Sequence, residues 1–125
     1  MTRRYWEQVG GTLIEEFCAV RRSPGVGQRL LDAIIIVGGP PRIADRREGL
    51  DLTGADVIVV QTKASPLGMY LMGQALFSRV LIEEHFSPKS VRTVALCTRD
   101  DAVLRPLAER FGIEVVVDET PRVPH

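Results

Sequence analysis

The sequence predicts one α/β domain, a mixed central sheet flanked by helices, and three observations carry that expectation. LIEEFCAV and RLLDAIII, separated by a turn cluster, have the residue types of a β-hairpin. DVIVVQTKAS is apolar on both faces, the mark of a strand at the centre of a sheet. After it, Met69, Met72, Leu76, Val80 and Leu81 recur at helical spacing. With 125 residues, 45% of them apolar, the chain is long enough for a single domain spanning 1–125 and too short for two.

Residues Thr2 to Val9 read as a short helix, which Gly10-Gly11 stops. From Thr12 the β-formers Thr12, Ile14, Phe17, Cys18 and Val20 predict a strand to Arg22. Ser23-Pro24-Gly25-Val26-Gly27 is a turn, and Arg29 to Val37 returns as the second strand of the hairpin. A competing pattern is one helix from Arg3 to Val20, with Trp6, Val9, Leu13, Phe17 and Val20 on one face. Two glycines inside that helix would cost roughly 1 kcal/mol each, which favours the hairpin.

Gly38 to Ala55, punctuated by Gly-Gly-Pro-Pro, reads as a long connection. Asp56 to Lys63 is the central strand, ended by Ser65-Pro66, and the long helix runs from Leu67 to about Phe86. Val91 to Cys97 is a further strand, Asp100 to Phe111 a helix stopped by Gly112, and Ile113 to Val117 a last strand. Thr98 or Asp100 is positioned to cap that last helix. The polar tail 118–125, with two prolines, reads as frayed. The predicted order is αβββαβαβ.

Sixteen basic and sixteen acidic residues cancel, so a polyanion partner must be met by a local patch. Cys18 and Cys97 stand alone in apolar surroundings, without the spacing of a zinc site or a disulfide framework, and read as core residues of a reducing compartment. No apolar run approaches the length of a membrane span or signal peptide, so the expected location is cytoplasmic.

Two charges sit oddly in this pattern. Asp32 lies within Leu30, Leu31, Ala33, Ile34, Ile35 and Ile36, and Lys63 closes the run Val57 to Val60. An unpaired buried charge is too costly to keep, so each needs water, a metal or a counter-ion. On a strand, Gln61 and Lys63 share a face with Cα atoms roughly 6.5 Å apart. If the strand of Asp32 pairs alongside, an acid, an amide oxygen and a lysine meet at one end of a sheet. That set suits Mg²⁺ or Mn²⁺ on Asp32 and Gln61, with Lys63 orienting an attacking water. The same spacing equally suits a buried salt bridge between Asp32 and Lys63.

A hairpin with Asp on its second strand, a (E/Q)xK ending the third, then a helix and a strand: this order, from about Tyr5 to Cys97, resembles the PD-(D/E)XK nuclease superfamily and its restriction-endonuclease-like αβββαβ core, here with an added αβ unit. The segments LIEEFCAV, RLLDAIII and VIVVQTKAS are also similar to those of Holliday-junction resolvase relatives. The resemblance implies a magnesium-dependent nuclease that hydrolyses DNA phosphodiester bonds, endo- or exo-acting, with Asp32, Gln61 and Lys63 as catalytic residues. Gln74, on the helix after the motif, resembles a glutamine that exonuclease-like branches carry near DNA. The resemblance also implies a glutamate from the first helix; Glu7, Glu15 and Glu16 are the candidates, Glu7 if the hairpin forms and Glu16 if the single long helix does. A homodimer or larger assembly is expected on the same ground. Leu31 replaces the Pro of the motif, and Gln61 is a neutral ligand, as in the QxK of the Mrr-type branch.

Arg21, Arg22 and Arg29 flank the hairpin turn, and Arg42, Arg46 and Arg47 lie in the long connection. They are either phosphate contacts or ordinary solvated arginines. Two other functions remain open from the sequence: an inactive nuclease fold that binds nucleic acid or protein, and a small-molecule-binding α/β domain.

Overall fold

The computed structural model describes residues 1–119. Helix α1 (Thr2–Val9) precedes the hairpin of β1 (Thr12–Val20) and β2 (Arg29–Ile36); β3 (Ile43–Ala44) lies in the connection. Then come β4 (Asp56–Thr62), α2 (Met69–His85), β5 (Ser90–Cys97), α3 (Leu104–Arg110) and β6 (Ile113–Val117). The six strands form one sheet in the order β3-β1-β2-β4-β5-β6. β2 pairs antiparallel with both β1 and β4, and the β1–β3, β4–β5 and β5–β6 pairs are parallel. The fold is a mixed six-stranded sheet with helices on both faces.

α1 packs Tyr5 against Leu13, Ala33, Ile35, Ile58, Val60, Val94 and Leu96 on one face of the sheet. The opposite face is covered by α2 and α3. There Ile82 meets Ile14, Ile34, Val57 and Val59, while Leu71, Met72 and Ala75 meet Ala95, Cys97 and Val115. Period-two burial along β4 therefore feeds two cores at once.

Gly10 ends α1 at φ 75°, and Gly11, at φ 83°, turns the chain into β1. A Cβ at Gly11 would collide with the carbonyl oxygen of Ile36, and Trp6 Nε1 donates to the Gly11 carbonyl at 2.8 Å. The single-helix alternative from Arg3 to Val20 is thereby excluded: the double glycine is a corner, and Thr12–Val20 is a strand.

Differences from the expected boundaries have local causes. The connection 38–55 is tied down by β3, by the buried Leu52, and by a short 3-10 turn at Arg46–Glu48, where Asp45 and Glu48 cap each other's backbone. α3 starts four residues later than expected because Asp101, rather than Thr98 or Asp100, accepts hydrogen bonds from the N–H groups of Val103 and Leu104 and shapes a turn ahead of the helix. Asp118, expected at the start of a frayed tail, pairs with Arg4 at 2.7 Å and donates its N–H to the Cys97 carbonyl. The remainder of that expectation, 120–125, lies outside the described residues. No helix among the described residues is long and apolar enough to cross a membrane.

Two outcomes check this packing. Gly11→Ala is expected to cost roughly 1–3 kcal/mol through backbone strain, seen as a lower urea midpoint at unchanged slope; an unmoved midpoint would show that the corner relaxes freely. Cys97 is fully buried, and that burial pushes its thiol pKa up, whereas Cys18 is half-buried. Alkylation at neutral pH should therefore modify Cys18 first and reach Cys97 only in denaturant, as read by mass spectrometry.

Candidate functional site

β2 and β4 are paired from Ile36↔Val57 to Ala33↔Val60 and then part. Lys63 N–H donates to Leu96 of β5, so the preceding N–H, that of Thr62, faces β2 where the ladder has ended. Asp32 fills the gap: its Oδ2 accepts from Thr62 N at 2.9 Å. The Asp32 side chain is exposed and its other oxygen carries no partner among the described residues. The question raised by an acid in an apolar strand is answered by a split in the sheet, where water reaches the carboxylate.

Gln61 and Lys63 both turn toward α2, as their two-residue spacing predicts. Gln61 is buried, and its Nε2 donates to Ser78 Oγ at 2.7 Å. Lys63, one residue past the end of β4, is exposed, with Nζ 5.0 Å from the centroid of the Tyr70 ring. A salt bridge between Asp32 and Lys63, one of the two arrangements compatible with the sequence, is not formed. The lysine is solvated and rests on an aromatic face, and the aspartate is satisfied by backbone.

Tyr70, Gln74 and Ser78 are four residues apart and make one stripe along α2. Its ends meet Lys63 and Gln61, so Gln74, exposed between them, lies near the same end of β4. Ser78 and Tyr70 were not singled out from the sequence. The legible signal was a serine on the inner face of an otherwise apolar helix, four residues beyond Gln74.

The three candidate glutamates part company. Glu15 is bound to Arg3 at 2.8 Å, and Glu7 is exposed on α1. Glu16 is flanked by the pairs Glu15↔Ala33 and Phe17↔Leu31, which sets its backbone across from Asp32. It is the one non-glycine residue with positive φ, 51°, among those described. Its side chain lines a polar hollow of about 380 Å³ with Asp45, Arg46 and Arg47, on the β3 side of β1.

Beyond Ala33 the hairpin continues as a two-stranded ribbon, with pairs running to Val20↔Arg29 and Ser23 and Val26 exchanging hydrogen bonds at the turn. Arg21, Arg22 and Arg29 are exposed on this ribbon and pair with no acid among the described residues. In the connection, by contrast, Arg42 is bound to Glu48 and Arg47 lies 3.6 Å from Asp45.

Magnesium keeps several waters and is commonly held by one or two carboxylates together with substrate phosphates. Asp32 offers one carboxylate with a free oxygen, Gln61 a neutral amide oxygen, and no group of three or more His, Cys, Asp or Glu suited to a metal occurs among the described residues. These donors fit an ion that completes its shell with the substrate's phosphate, not a pre-built cage. Comparison of the chain with protein-family models, with curated proteins and with solved structures returns no match.

Ser78→Ala removes the acceptor of a buried amide and should destabilise by about 1–3 kcal/mol. Adding Gln61→Leu to Ser78→Ala should cost less than the sum of the two single changes. Additive urea midpoints would show that the hydrogen bond is not formed in solution.

Proposed function

We propose that this chain is a metal-dependent nuclease that hydrolyses DNA phosphodiester bonds with Mg²⁺ or Mn²⁺. The observation that carries the reading is the sheet split that sets the exposed Asp32 carboxylate against the backbone of Thr62, between Gln61 and Lys63. In this reading Asp32 holds the ion, Gln61 contributes its amide oxygen, and the Lys63 ammonium orients the attacking water and the scissile phosphate. Gln74 and the arginine-bearing ribbon supply phosphate contacts, and the restriction-endonuclease-like core is the fold to which these parts belong. A metal bound at Asp32 would lower the pKa of its water and offset charge on the phosphate. A single domain of this kind holds one site, so cutting both strands takes a homodimer or a larger assembly.

A second reading, an inactive nuclease fold that binds nucleic acid or a protein, is favoured by one specific observation. The Gln61 amide is committed to Ser78, and Asp32 is the only carboxylate against the end of β4 among the described hydrogen bonds.

Incubation with plasmid, linear, single-stranded and branched DNA plus Mn²⁺ separates the two. Cleavage is expected, with Lys63→Ala and Asp32→Asn each slowing it by roughly 10²-fold or more. DNA binding that weakens steeply with salt, in the absence of cleavage, would establish the inactive reading instead. Gln61→Glu should keep the fold and tighten Mn²⁺, because it replaces a neutral oxygen by a charged one; unchanged Mn²⁺ affinity by calorimetry would remove Gln61 from the ligand set.

A further inference from the structure

Away from Asp32, Gln61 and Lys63, none of which lines it, a cavity of about 400 Å³ opens between the second half of β1, the 45–50 segment and the C-terminal end of α2. That volume is within the range of small-molecule sites. One wall is aromatic: Phe17 and Phe86 stand with ring centroids 5.3 Å apart and planes tilted by 55°. Two arginines line the same cavity, Arg46 in the 3-10 turn and Arg21 just beyond β1, the latter shared with the arginine-bearing ribbon. Neither has an ion-pair or hydrogen-bond partner for its side chain among the described residues, although acids are close in sequence. Asp45 also lines the cavity, its charge shared with the Arg47 N–H and the Arg47 guanidinium.

We propose that this cavity binds a nucleoside monophosphate. Two unpaired arginines, each a planar fork of donors, suit the doubly charged phosphate better than a monoanion. The Phe17–Phe86 wall offers an apolar and aromatic surface on which a flat base packs. The Asp45 carboxylate suits the donor hydroxyls of a ribose. The chemistry separates into three parts of one ligand: anion, sugar and ring. The side chains come from the β1 segment, the 3-10 turn and the end of α2, so the ligand would tie these three together.

The test is calorimetric titration of the whole chain with AMP, and in parallel with ribose 5-phosphate and inorganic phosphate. AMP is expected to bind one to one and more tightly than either fragment. Arg46→Ala, at an exposed position, should weaken AMP by about tenfold or more while leaving the thermal midpoint unchanged. Lys63→Ala should leave AMP affinity as it is, which separates this cavity from the proposed nuclease site whether or not cleavage is found. Absence of AMP binding at millimolar concentration would overturn the assignment. So would equal affinity for AMP and inorganic phosphate, or loss of AMP in Lys63→Ala with retention in Arg46→Ala.

Discussion

The strand Asp56–Thr62 sets the conditions for everything around it. Val57, Ile58, Val59, Val60 and Gln61 are all buried, so side chains on both faces and backbone on both edges need partners. Burying each of those aliphatic side chains is worth about 1.5–3 kcal/mol, which is collected only if helices cover both faces. α1 and α2 do so. β2 on one edge is antiparallel and local in sequence, while β5 on the other is parallel and therefore needs the crossover that α2 provides. The change of pairing mode at this strand puts the start of α2 and the end of the β2 ladder at the same end of the sheet. The Asp32 carboxylate therefore reaches the backbone between Gln61 and Lys63 as a consequence of the topology.

Much of this was legible because the signals were local. Gly10-Gly11 separated helix from strand, the 23–27 turn separated β1 from β2, and the two-sided apolar run of 57–60 announced a central position. What escaped was set by partners distant in sequence. Ile43 and Ala44 become a strand because Leu13 and Ile14 offer them an edge, and two residues carry no periodicity of their own. Leu52 is fully buried inside a segment whose glycines and prolines read as a loop. The start of α3 turned on which of two adjacent aspartates accepts from the N–H groups of Val103 and Leu104, a choice that composition does not display.

For the site, residue positions were readable and environments were not. Asp32 reaches the backbone of Thr62, between Gln61 and Lys63, and the common direction of Gln61 and Lys63 follows from period two. Burial could not be inferred: Asp32 is exposed because β2 and β4 part after Ala33↔Val60, and no feature of RLLDAIII marks where a ladder ends. Gln61 reads as a ligand from its neighbours in sequence, yet its amide nitrogen is spent on Ser78, seventeen residues away on α2. The left-handed backbone of Glu16 was equally hidden, since a glutamate between Glu15 and Phe17 gives no sign of it. Its effect is large: Phe17, which simple alternation would place on the α1 face with Leu13, instead joins Ile14 in the core on the α2 face.

That same backbone reversal bears on how the molecule keeps to itself. β3 pairs with β1 only at Leu13 and Ile14, and among the described residues no strand pairs with the outer edge of β1 from Glu15 to Val20, which the 45–50 segment flanks without a ladder. An unpaired edge rich in β-formers is a template on which another extended chain can add hydrogen bonds, the first step toward aggregation. A left-handed residue breaks the even spacing of donors and acceptors that such an intruder must match, and a carboxylate at the break adds a charge that it would have to desolvate. Glu16 thus interrupts β1 on its outer edge, where pairing would undo the fold, while pairing with β2 resumes at Phe17↔Leu31.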